Sequence, residues 1–288
     1  MQRLIVIFLA LATGLLAQDQ KVYPTWLYRN LSALREYRID VSSGSCHYTP
    51  IFGEGDVESR LPQTIARFGV LTLDPHVACQ TVEYSRQEEL YFVREGNGMV
   101  DYGGESHPVV PDDFTYLAPS VRHRLSNPSS QTLRVVVTTV RISPGTPISQ
   151  AAPFAAANLS ELQEQTVQGH PKSVLYKLLI GPRTATRDRI NAAYAVTDFF
   201  LMDFAPAGTN FPHHHEVAEE IYLVLDGEGQ MVAGGGLDGV EGLQPAKSGD
   251  AYYFRPNCTV GFYNQTKPAL KAHILAVRAF VPMPQNQE

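Results

Sequence analysis

The 288-residue sequence has little of what marks several large classes of protein. Charged residues make up only 18% of it, acidic residues outnumber basic ones by 29 to 23, and no run of lysine or arginine stands out. A nucleic-acid-binding surface therefore has no electrostatic support, and we expect no nucleic-acid partner. The Gly-x-Ser-x-Gly motif of many hydrolases is missing, as is any glycine-rich loop that leads into a helix and could cradle phosphate.

Cysteine is scarce as well, with only Cys46, Cys79 and Cys258 in the chain. Three cysteines permit at most one disulfide, and two domains of ordinary size do not need one to be stable. Two arrangements therefore remain open, a Cys46–Cys79 bond or a set of unpaired buried thiols.

Long apolar runs are absent except near the N-terminus. Arg3 supplies a positive start, Leu4–Leu11 is apolar, and small residues lead to Ala17, after which the sequence turns polar. This order is typical of a secretory signal peptide, which we assign to residues 1–17. The apolar stretch is short for a membrane span, so a retained anchor is the weaker alternative. We expect a secreted or periplasmic protein with no membrane partner after cleavage.

What the chain does contain is an internal repeat. Glu88–Gly98 matches Glu219–Gly229 at a spacing of 131 residues, and Asp113–Pro119 matches Asp250–Pro256 at a spacing of 137. The six extra residues of the second copy fall in the glycine-rich stretch Gly234–Gly242, which we interpret as a lengthened hairpin loop. Two matched copies in the same order indicate a tandem duplication.

Each copy is predicted to be β structure. Runs such as Leu90–Val93, Phe114–Leu117 and Leu133–Val140 are short, rich in aromatic and β-branched residues, and bounded by turn-forming residues. Strands at such regular spacing favour a sandwich or a closed barrel, which leaves few exposed sheet edges. We expect an all-β fold in which each barrel also takes strands from outside the repeated core.

The two copies define two domains, which we place at residues 18–145 and 146–288. The proline- and alanine-rich stretch Ser143–Ala157 lies between the repeated cores. Asn158–Gln165 follows, with an asparagine in a capping position and acidic residues in the first turn. We therefore expect a short linker helix there.

The most informative segment contains three consecutive histidines, His213, His214 and His215. Side chains alternate between two faces of a strand, so His213 and His215 point one way and His214 points the other. Glu220 opens the next apolar run. Two imidazoles and one carboxylate can bind a divalent cation and leave positions open for water, oxygen or substrate. We expect one ion here, Fe, Mn, Ni, Zn or Cu; the plainer alternative is a histidine-rich surface turn.

The pattern His-x-His-x(4)-Glu-x(6)-Gly resembles the first conserved motif of the cupin superfamily. Gly249-Asp-x(5)-Pro256, followed by Asn264, resembles the second. Because the repeat covers most of the chain after residue 65, the whole sequence resembles a bicupin. The resemblance implies two tandem cupin barrels, of the double-stranded β-helix or jelly-roll type, with the metal motif in the C-terminal one.

The second motif departs from the family pattern, which usually supplies a third histidine. Val260 stands in that place. The site therefore has either three protein ligands or a fourth one from elsewhere, for which His273 on the last strand, Tyr253 and Tyr263 are the alternatives.

The first half departs in the opposite way. Glu89 and His123 stand at the positions of the family's glutamate and second-motif histidine, but Val82 and Tyr84 replace the two motif histidines. Two ligands seldom hold a divalent ion. We therefore expect a vestigial site in which Glu89 and His123 are hydrogen-bonded inside the barrel.

Five further side chains are candidates for the pocket of the C-terminal barrel. Tyr222, Tyr253 and Tyr263 would line it or donate a proton if strand alternation turns them inward, and Arg255 and Arg278 would hold an anionic substrate. For the two arginines, an ordinary surface position is the plainer interpretation.

Cupins include many reaction types, so the fold alone does not decide the activity. The open His2Glu site favours a metal-dependent enzyme, which we expect to be a dioxygenase-like oxidoreductase acting on a small organic molecule. The alternatives are a non-oxidative metal enzyme, of the isomerase or aminohydrolase kind, and a non-catalytic protein that binds a sugar or another small molecule. A homodimer is left open.

Overall fold

The computed structural model describes residues 24–149, 153–235, 241–264 and 270–282. The predicted signal peptide, residues 1–17, lies outside these ranges. Within them, no helix is both long enough and apolar enough to cross a membrane.

The described part of the chain is almost entirely β structure, as the spacing of short apolar runs predicts. The strands up to the link between the halves are β1 (Trp26–Asn30), β2 (Cys46–Gly53), β3 (Ile65–Leu73), β4 (Val77–Ala78), β5 (Gln87–Glu95), β6 (Gly98–Tyr102), β7 (Glu105–Val109), β8 (Asp113–Leu117), β9 (His123–Asn127), β10 (Leu133–Arg141) and β11 (Ala155–Asn158). Those of the second half are β12 (Val174–Pro182), β13 (Ile190–Ala193), β14 (Val196–Phe204), β15 (Ala218–Asp226), β16 (Glu228–Gly234), β17 (Glu241–Lys247), β18 (Asp250–Phe254), β19 (Thr259–Tyr263) and β20 (Ala272–Phe280).

The two halves have the same strand order, which confirms the duplication. In the N-terminal half, β8-β5-β10-β3 are neighbours in a six-stranded sheet, and in the C-terminal half β18-β15-β20-β14 are neighbours in a seven-stranded sheet. A smaller sheet accompanies each, β4-β9-β6-β7 in the first half and β17-β16-β19 in the second. Glu89 and Glu220 occupy the same register, since they pair with Leu117 and Phe254 at the ends of β8 and β18. The chain is therefore a tandem pair of jelly-roll domains.

Each of the two large sheets includes one strand that comes from outside its own repeat. β1, which precedes the first repeat, pairs with β18 of the C-terminal sheet, whereas β11, from the link, pairs with β8 of the N-terminal sheet. The two exchanged strands, β1 and β11, end in the same way. The last residue of each is an asparagine that donates a hydrogen bond to an aspartate on the neighbouring strand. Asn30 Nδ2 lies 2.6 Å from Asp250 and Asn158 Nδ2 lies 2.7 Å from Asp113.

The predicted linker helix is much shorter than expected. Asn158 does cap it, and Glu161 completes a capping box, but the element is a single 3-10 turn over Leu159–Glu161. The preceding residues are committed to β11, and the chain leaves the turn extended at Leu162. One turn fixes several backbone dihedrals for little hydrogen bonding, so it depends on its cap and on β11 for stability.

A pair of buried glutamates joins the two domains. Glu88 on β5 accepts hydrogen bonds from the three successive backbone N–H groups of residues 194–196 in the other domain. Glu219 on β15 accepts from the N–H groups of residues 63–65 in return. Both glutamates are fully buried. Every contact recurs at a spacing of 131 residues, so the junction has the symmetry of the repeat.

Of the two cysteine arrangements that the sequence left open, the structure contains the one with a disulfide bond. Cys46 at the start of β2 and Cys79 just after β4 form a disulfide, with their Cα atoms 5.2 Å apart. Cys258 lies buried in the C-terminal domain and forms no disulfide.

Candidate metal centre

The His213–His215 segment lies between β14 and β15, at the open edge of the small C-terminal sheet. It is not a regular strand. A single bridge pairs His213 with Val260, and the backbone N–H of Asn257 donates to the carbonyl of His215. The alternation predicted from the sequence nevertheless holds, because His213 and His215 are half-buried while His214 is exposed. Two pairings to neighbouring backbone keep the segment extended, and extended backbone is enough to separate the two faces.

Three side-chain atoms converge beside this segment. Among the described residues, His213, His215 and Glu220 are the one cluster of metal-ligand side chains whose ligand atoms all lie within 4.8 Å of one another. The Nε2 atoms of both histidines and Oε2 of Glu220 are buried and make no hydrogen bond. Buried polar atoms rarely lack a partner, and three such atoms around one point fit a bound cation.

The other polar atom of two of these side chains is already engaged. Nδ1 of His213 lies 2.8 Å from the carbonyl oxygen of Phe211, which must accept from it, so the Nε2 lone pair is left for a ligand. Oε1 of Glu220 accepts from Arg278. His215 Nε2 and Glu220 Oε2 are 3.3 Å apart but are not aligned as a hydrogen bond. Side-by-side approach without alignment is the arrangement expected of two ligands of one ion.

The charges around the cluster favour the forms that bind metal. Burial by itself raises the pKa of Glu220, but the positive charge of Arg278, together with the neighbouring imidazoles, outweighs it and lowers that pKa to about 2. Burial also lowers the pKa of His213. A metal ligand must be a carboxylate or a neutral imidazole, so both groups are in the required state near neutral pH. Two imidazoles and a carboxylate are the set used for iron and other first-row transition metals with open positions.

A small cavity of about 40 Å³ adjoins the cluster, roughly the room for one or two water molecules. Its wall includes His213 and Arg278, as well as Tyr222, whose hydroxyl accepts a hydrogen bond from Asn210 at 3.1 Å. Burial raises the pKa of Tyr222 well above its usual value, so its hydroxyl keeps its proton. The prediction that Tyr222 lines the pocket agrees with this position.

Tyr253 and Tyr263 do not line this cavity. Tyr253 points to the junction between the domains, where its hydroxyl donates to Glu219 at 2.9 Å and to the carbonyl of Leu61 at 3.0 Å. It pairs with Ile221 in the register of β15 and β18, and both residues pack in the core that the two domains share. Tyr263 ends β19 opposite Gln230. Strand alternation therefore turns Tyr253 away from the pocket, and Tyr263 is not part of the cavity wall.

His273 is not a fourth ligand either. Its Nε2 lies 3.4 Å from Asp203, and this ion pair raises the pKa of His273. On β20, Ala272, Ile274 and Ala276 point into the C-terminal core, so alternation turns His273 to the opposite face, away from the site. Val260, at the vacant position of the second motif, is buried. Among the described residues, three candidate ligands remain.

The two predicted substrate arginines differ in position. Arg278 is inside, in contact with Glu220 and Asp198. Arg255 lies in the turn after β18, where its backbone N–H donates to Thr25, and it is not part of the cavity wall.

Among the cavity residues that the sequence interpretation missed are His170 and Tyr176. His170, from the segment that joins the halves, places its ring 5.0 Å from that of His213, and its Nδ1 lies 2.9 Å from the carbonyl oxygen of Asn210. Tyr176 on β12 stacks obliquely on His170. Neither residue belongs to a motif, and both come from chain that precedes the motif, so no sequence signal pointed to them.

In the described part of the N-terminal domain, the equivalent residues leave no such set of orphaned atoms. Glu89 and His123 are buried 2.7 Å apart, as predicted, and the second oxygen of Glu89 accepts from Thr139 at 2.6 Å. A bridge pairs Val82 with His123, at the place where the other half pairs His213 with Val260. Valine and histidine have changed sides between the two copies. Both oxygens of Glu89 therefore take part in hydrogen bonds inside the barrel.

Comparisons with known proteins agree with this architecture. A family model described as "Cupin domain" matches residues 69–139 and 200–277. None of the curated proteins matches the chain significantly. Among solved structures, the chain resembles a putative glyoxylate-induced protein from Pseudomonas aeruginosa, with 14% identity, a TM-score of 0.72, and coverage of 94% of this chain and 96% of that one.

Two further solved structures are similar. Oxalate decarboxylase from Lactobacillus farciminis, in a formate complex, has 10% identity and a TM-score of 0.64, with 89% and 86% of the two chains covered. A bacterial pirin from Escherichia coli, in complex with nickel(II), has 14% identity and a TM-score of 0.60, with 90% and 100% covered. At these identities the likeness shows a shared fold.

Proposed function

The chain belongs to the cupin family, with one cupin domain in each half, and we propose that it is a metal-dependent enzyme whose chemistry takes place in the C-terminal domain. One observation carries the proposal: Nε2 of His213, Nε2 of His215 and Oε2 of Glu220 are buried, lack hydrogen-bond partners and lie together. A purely structural metal site is normally closed by a fourth protein ligand, and none is present among the described residues near this one.

The protein residues have distinct parts in this proposal. His213, His215 and Glu220 hold the cation, and the small cavity beside them has room for water or oxygen. Tyr222, which keeps its proton, can donate a hydrogen bond to a bound ligand because its oxygen already accepts from Asn210. When bound, the metal supplies Lewis acidity and, if it is redox-active, electron transfer to oxygen.

Within that frame, we propose a dioxygenase-like oxidoreductase that acts on a small organic molecule outside the cytoplasm, after removal of residues 1–17. The support is the donor set, two histidines and one carboxylate with open positions, which suits iron and oxygen.

A non-oxidative metal enzyme, such as an isomerase or aminohydrolase, is the second candidate. The observation that favours it is the confinement of the site to the C-terminal half, a layout similar to that of bicupin aminohydrolases. Zinc or manganese without oxygen consumption would identify this class. Absence of metal altogether would point instead to a non-catalytic cupin that binds a sugar or another small molecule.

Elemental analysis of the purified protein tests the proposal. We expect about one divalent transition metal per chain, a large loss of metal in His213→Ala and in His215→Ala, and retention in His214→Ala, because only the first two imidazoles reach the cluster. Oxygen consumption with candidate phenols and sugars should then follow metal content across the series. Metal content unchanged in His213→Ala, or lost in His214→Ala, would refute the assignment.

A further inference from the structure

Arg278 on β20 contacts the carboxylate that completes the metal site. Its Nε and Nη2 atoms lie 3.2 Å and 2.8 Å from the same oxygen of Glu220, Oε1. Its third donor group, Nη1, lies 3.1 Å from Asp198. The Glu220 side chain is 1% exposed and that of Arg278 18%, so water screens the pair weakly.

These contacts divide the two oxygens of Glu220 between two tasks. A carboxylate has about four lone-pair sites, two on each oxygen. Oε1 uses both of its sites on Arg278, and Oε2, which makes no hydrogen bond, is the oxygen beside Nε2 of His215. Only Oε2 is therefore available to a cation.

Further contacts hold the guanidinium in this orientation. Asp198, which accepts from Nη1 of Arg278, also accepts from Nη2 of Arg187 at the rim of the cavity. Arg278 also lies over the ring of Phe200, with the guanidinium carbon 5.6 Å from the ring centroid. The planar guanidinium is held by Glu220, Asp198 and the ring of Phe200, so it cannot rotate with the Glu220 carboxylate. It therefore restrains rotation of that carboxylate.

The repeat supplies an internal comparison. The strand register places Thr139 on β10 where Arg278 stands on β20, because Thr139 pairs with Glu89 as Arg278 pairs with Glu220. Thr139 donates one hydrogen bond to Oε1 of Glu89 at 2.6 Å, whereas Arg278 donates two to Oε1 of Glu220. A neutral donor therefore stands at this place in the N-terminal domain, and the charged, two-pronged donor stands beside the glutamate whose other oxygen makes no hydrogen bond.

We infer that Arg278 is a positioning residue that keeps Glu220 a one-oxygen ligand and thereby leaves the adjacent coordination position open to a small exogenous ligand. The inference rests on the proposed function, since it requires a cation bound by His213, His215 and Glu220. It goes beyond that proposal by naming what controls access to the metal. Without Arg278, Oε1 is a buried oxygen without donors, and the cation is the nearest group that can satisfy it.

Full-length protein loaded with Co(II) tests the inference, with azide as the probe ligand. We expect Arg278→Gln to weaken the d–d absorption, because a second carboxylate oxygen raises the coordination number. We also expect it to raise the azide dissociation constant by about tenfold or more, as changes to groups that hold metal ligands typically do. Arg141→Gln removes an arginine of the N-terminal sheet that donates to backbone carbonyls, and as the control it should leave both the spectrum and the azide affinity unchanged.

Arg278→Lys separates geometry from charge. Lysine keeps the positive charge but cannot fill both lone pairs of Oε1 and reach Asp198 at once, so we expect a spectrum and azide affinity close to those of Arg278→Gln. If Arg278→Lys has the spectrum and azide affinity of the wild type, positive charge alone accounts for azide binding, and the inference is overturned. If Arg278→Gln does not fold, Asp198→Asn serves in its place, because it removes one anchor of the guanidinium. We expect it to change the spectrum and the azide affinity in the same direction, by a smaller amount. An Asp198→Asn protein with an unchanged spectrum and azide affinity would then overturn the inference.

The outcomes distinguish this inference from the proposed function. Wild-type protein that takes up no Co(II), or takes it up equally well as His213→Ala, would refute the metal site itself. Normal uptake by the wild type, with the same spectrum and azide affinity in Arg278→Gln, would refute only the role of Arg278.

Discussion

Replacement of Glu88 by alanine tests the junction between the domains. The carboxylate accepts three backbone N–H groups at 2.7, 2.8 and 2.9 Å, and the hydroxyl of Tyr116 at 2.8 Å. Alanine would leave all four donors without an acceptor in a fully buried place. A buried donor without a partner costs about 1 to 3 kcal/mol, and relaxation of the loop recovers part of this. We therefore expect the free energy of unfolding to fall by about 3 to 5 kcal/mol.

Glutamine at the same position should cost less than alanine. Burial raises the pKa of Glu88 despite the donors around it, so the negative charge is itself a burden that glutamine removes. The amide oxygen can still accept two of the N–H groups, while the amide NH2 faces the remaining donors. Glu219→Ala should match Glu88→Ala, because the same contacts recur at that residue.

Urea unfolding measures these losses, with far-UV circular dichroism as one probe and the fluorescence of Trp26 as another. Trp26 is the sole tryptophan, and it lies on β1, the arm that pairs with the C-terminal sheet. A destabilisation that begins at Glu88 should therefore appear in both probes. Glu105→Ala, whose side chain is 84% exposed, is the control. A loss of less than about 1 kcal/mol in Glu88→Ala would refute the view that this carboxylate holds the domains together.

Three further predictions follow from the remaining contacts. Cys46→Ser with Cys79→Ser opens a link across 33 residues and should lower stability by about 3 to 4 kcal/mol without changing metal content, as denaturation and elemental analysis would show. Tyr253→Phe removes one hydroxyl from the junction and should cost about 1 kcal/mol, again with metal retained; loss of metal would restore Tyr253 to the site. Burial lowers the pKa of His123, but the bond to Glu89 outweighs it and the pKa is raised. The stabilisation by protonated His123 is then complete below its pKa in the unfolded chain, near 6.5, and declines as pH rises through its pKa in the folded protein. Between about pH 6 and pH 9, the unfolding midpoint of the wild type should therefore fall more than that of His123→Asn.

The sequence was sufficient where the information is local or repeated. The spacing of His213, His215 and Glu220 needs only the alternation of an extended chain followed by a strand, and both features survive although the histidine segment is not a regular strand. The duplication predicted that Glu89 and Glu220 share one register, because two copies of one sequence pattern adopt one topology. The predicted exchange of strands from outside the repeated core is also present, in β1 and β11.

Prediction failed where the sequence places a residue on one face of a strand but does not show what packs against that face. Tyr253 and His273 lie on strands of the large C-terminal sheet, as expected. One face of that sheet covers the cavity and the other meets the N-terminal domain or solvent, and the sequence does not say which. Tyr253 and His273 both fall on the face away from the candidate metal site.

The sequence by itself therefore determined the β-fold, the duplication and the three candidate metal ligands, because each depends on periodicity within a few residues or on a repeat visible along the chain. Only the tertiary structure decided the pairing of Arg278 with Glu220, the entry of His170 into the cavity, and the reciprocal clamps of Glu88 and Glu219. These contacts join residues between 43 and 156 positions apart in the chain. Their partners are chosen by how two sheets and two domains pack, and no local pattern records that choice.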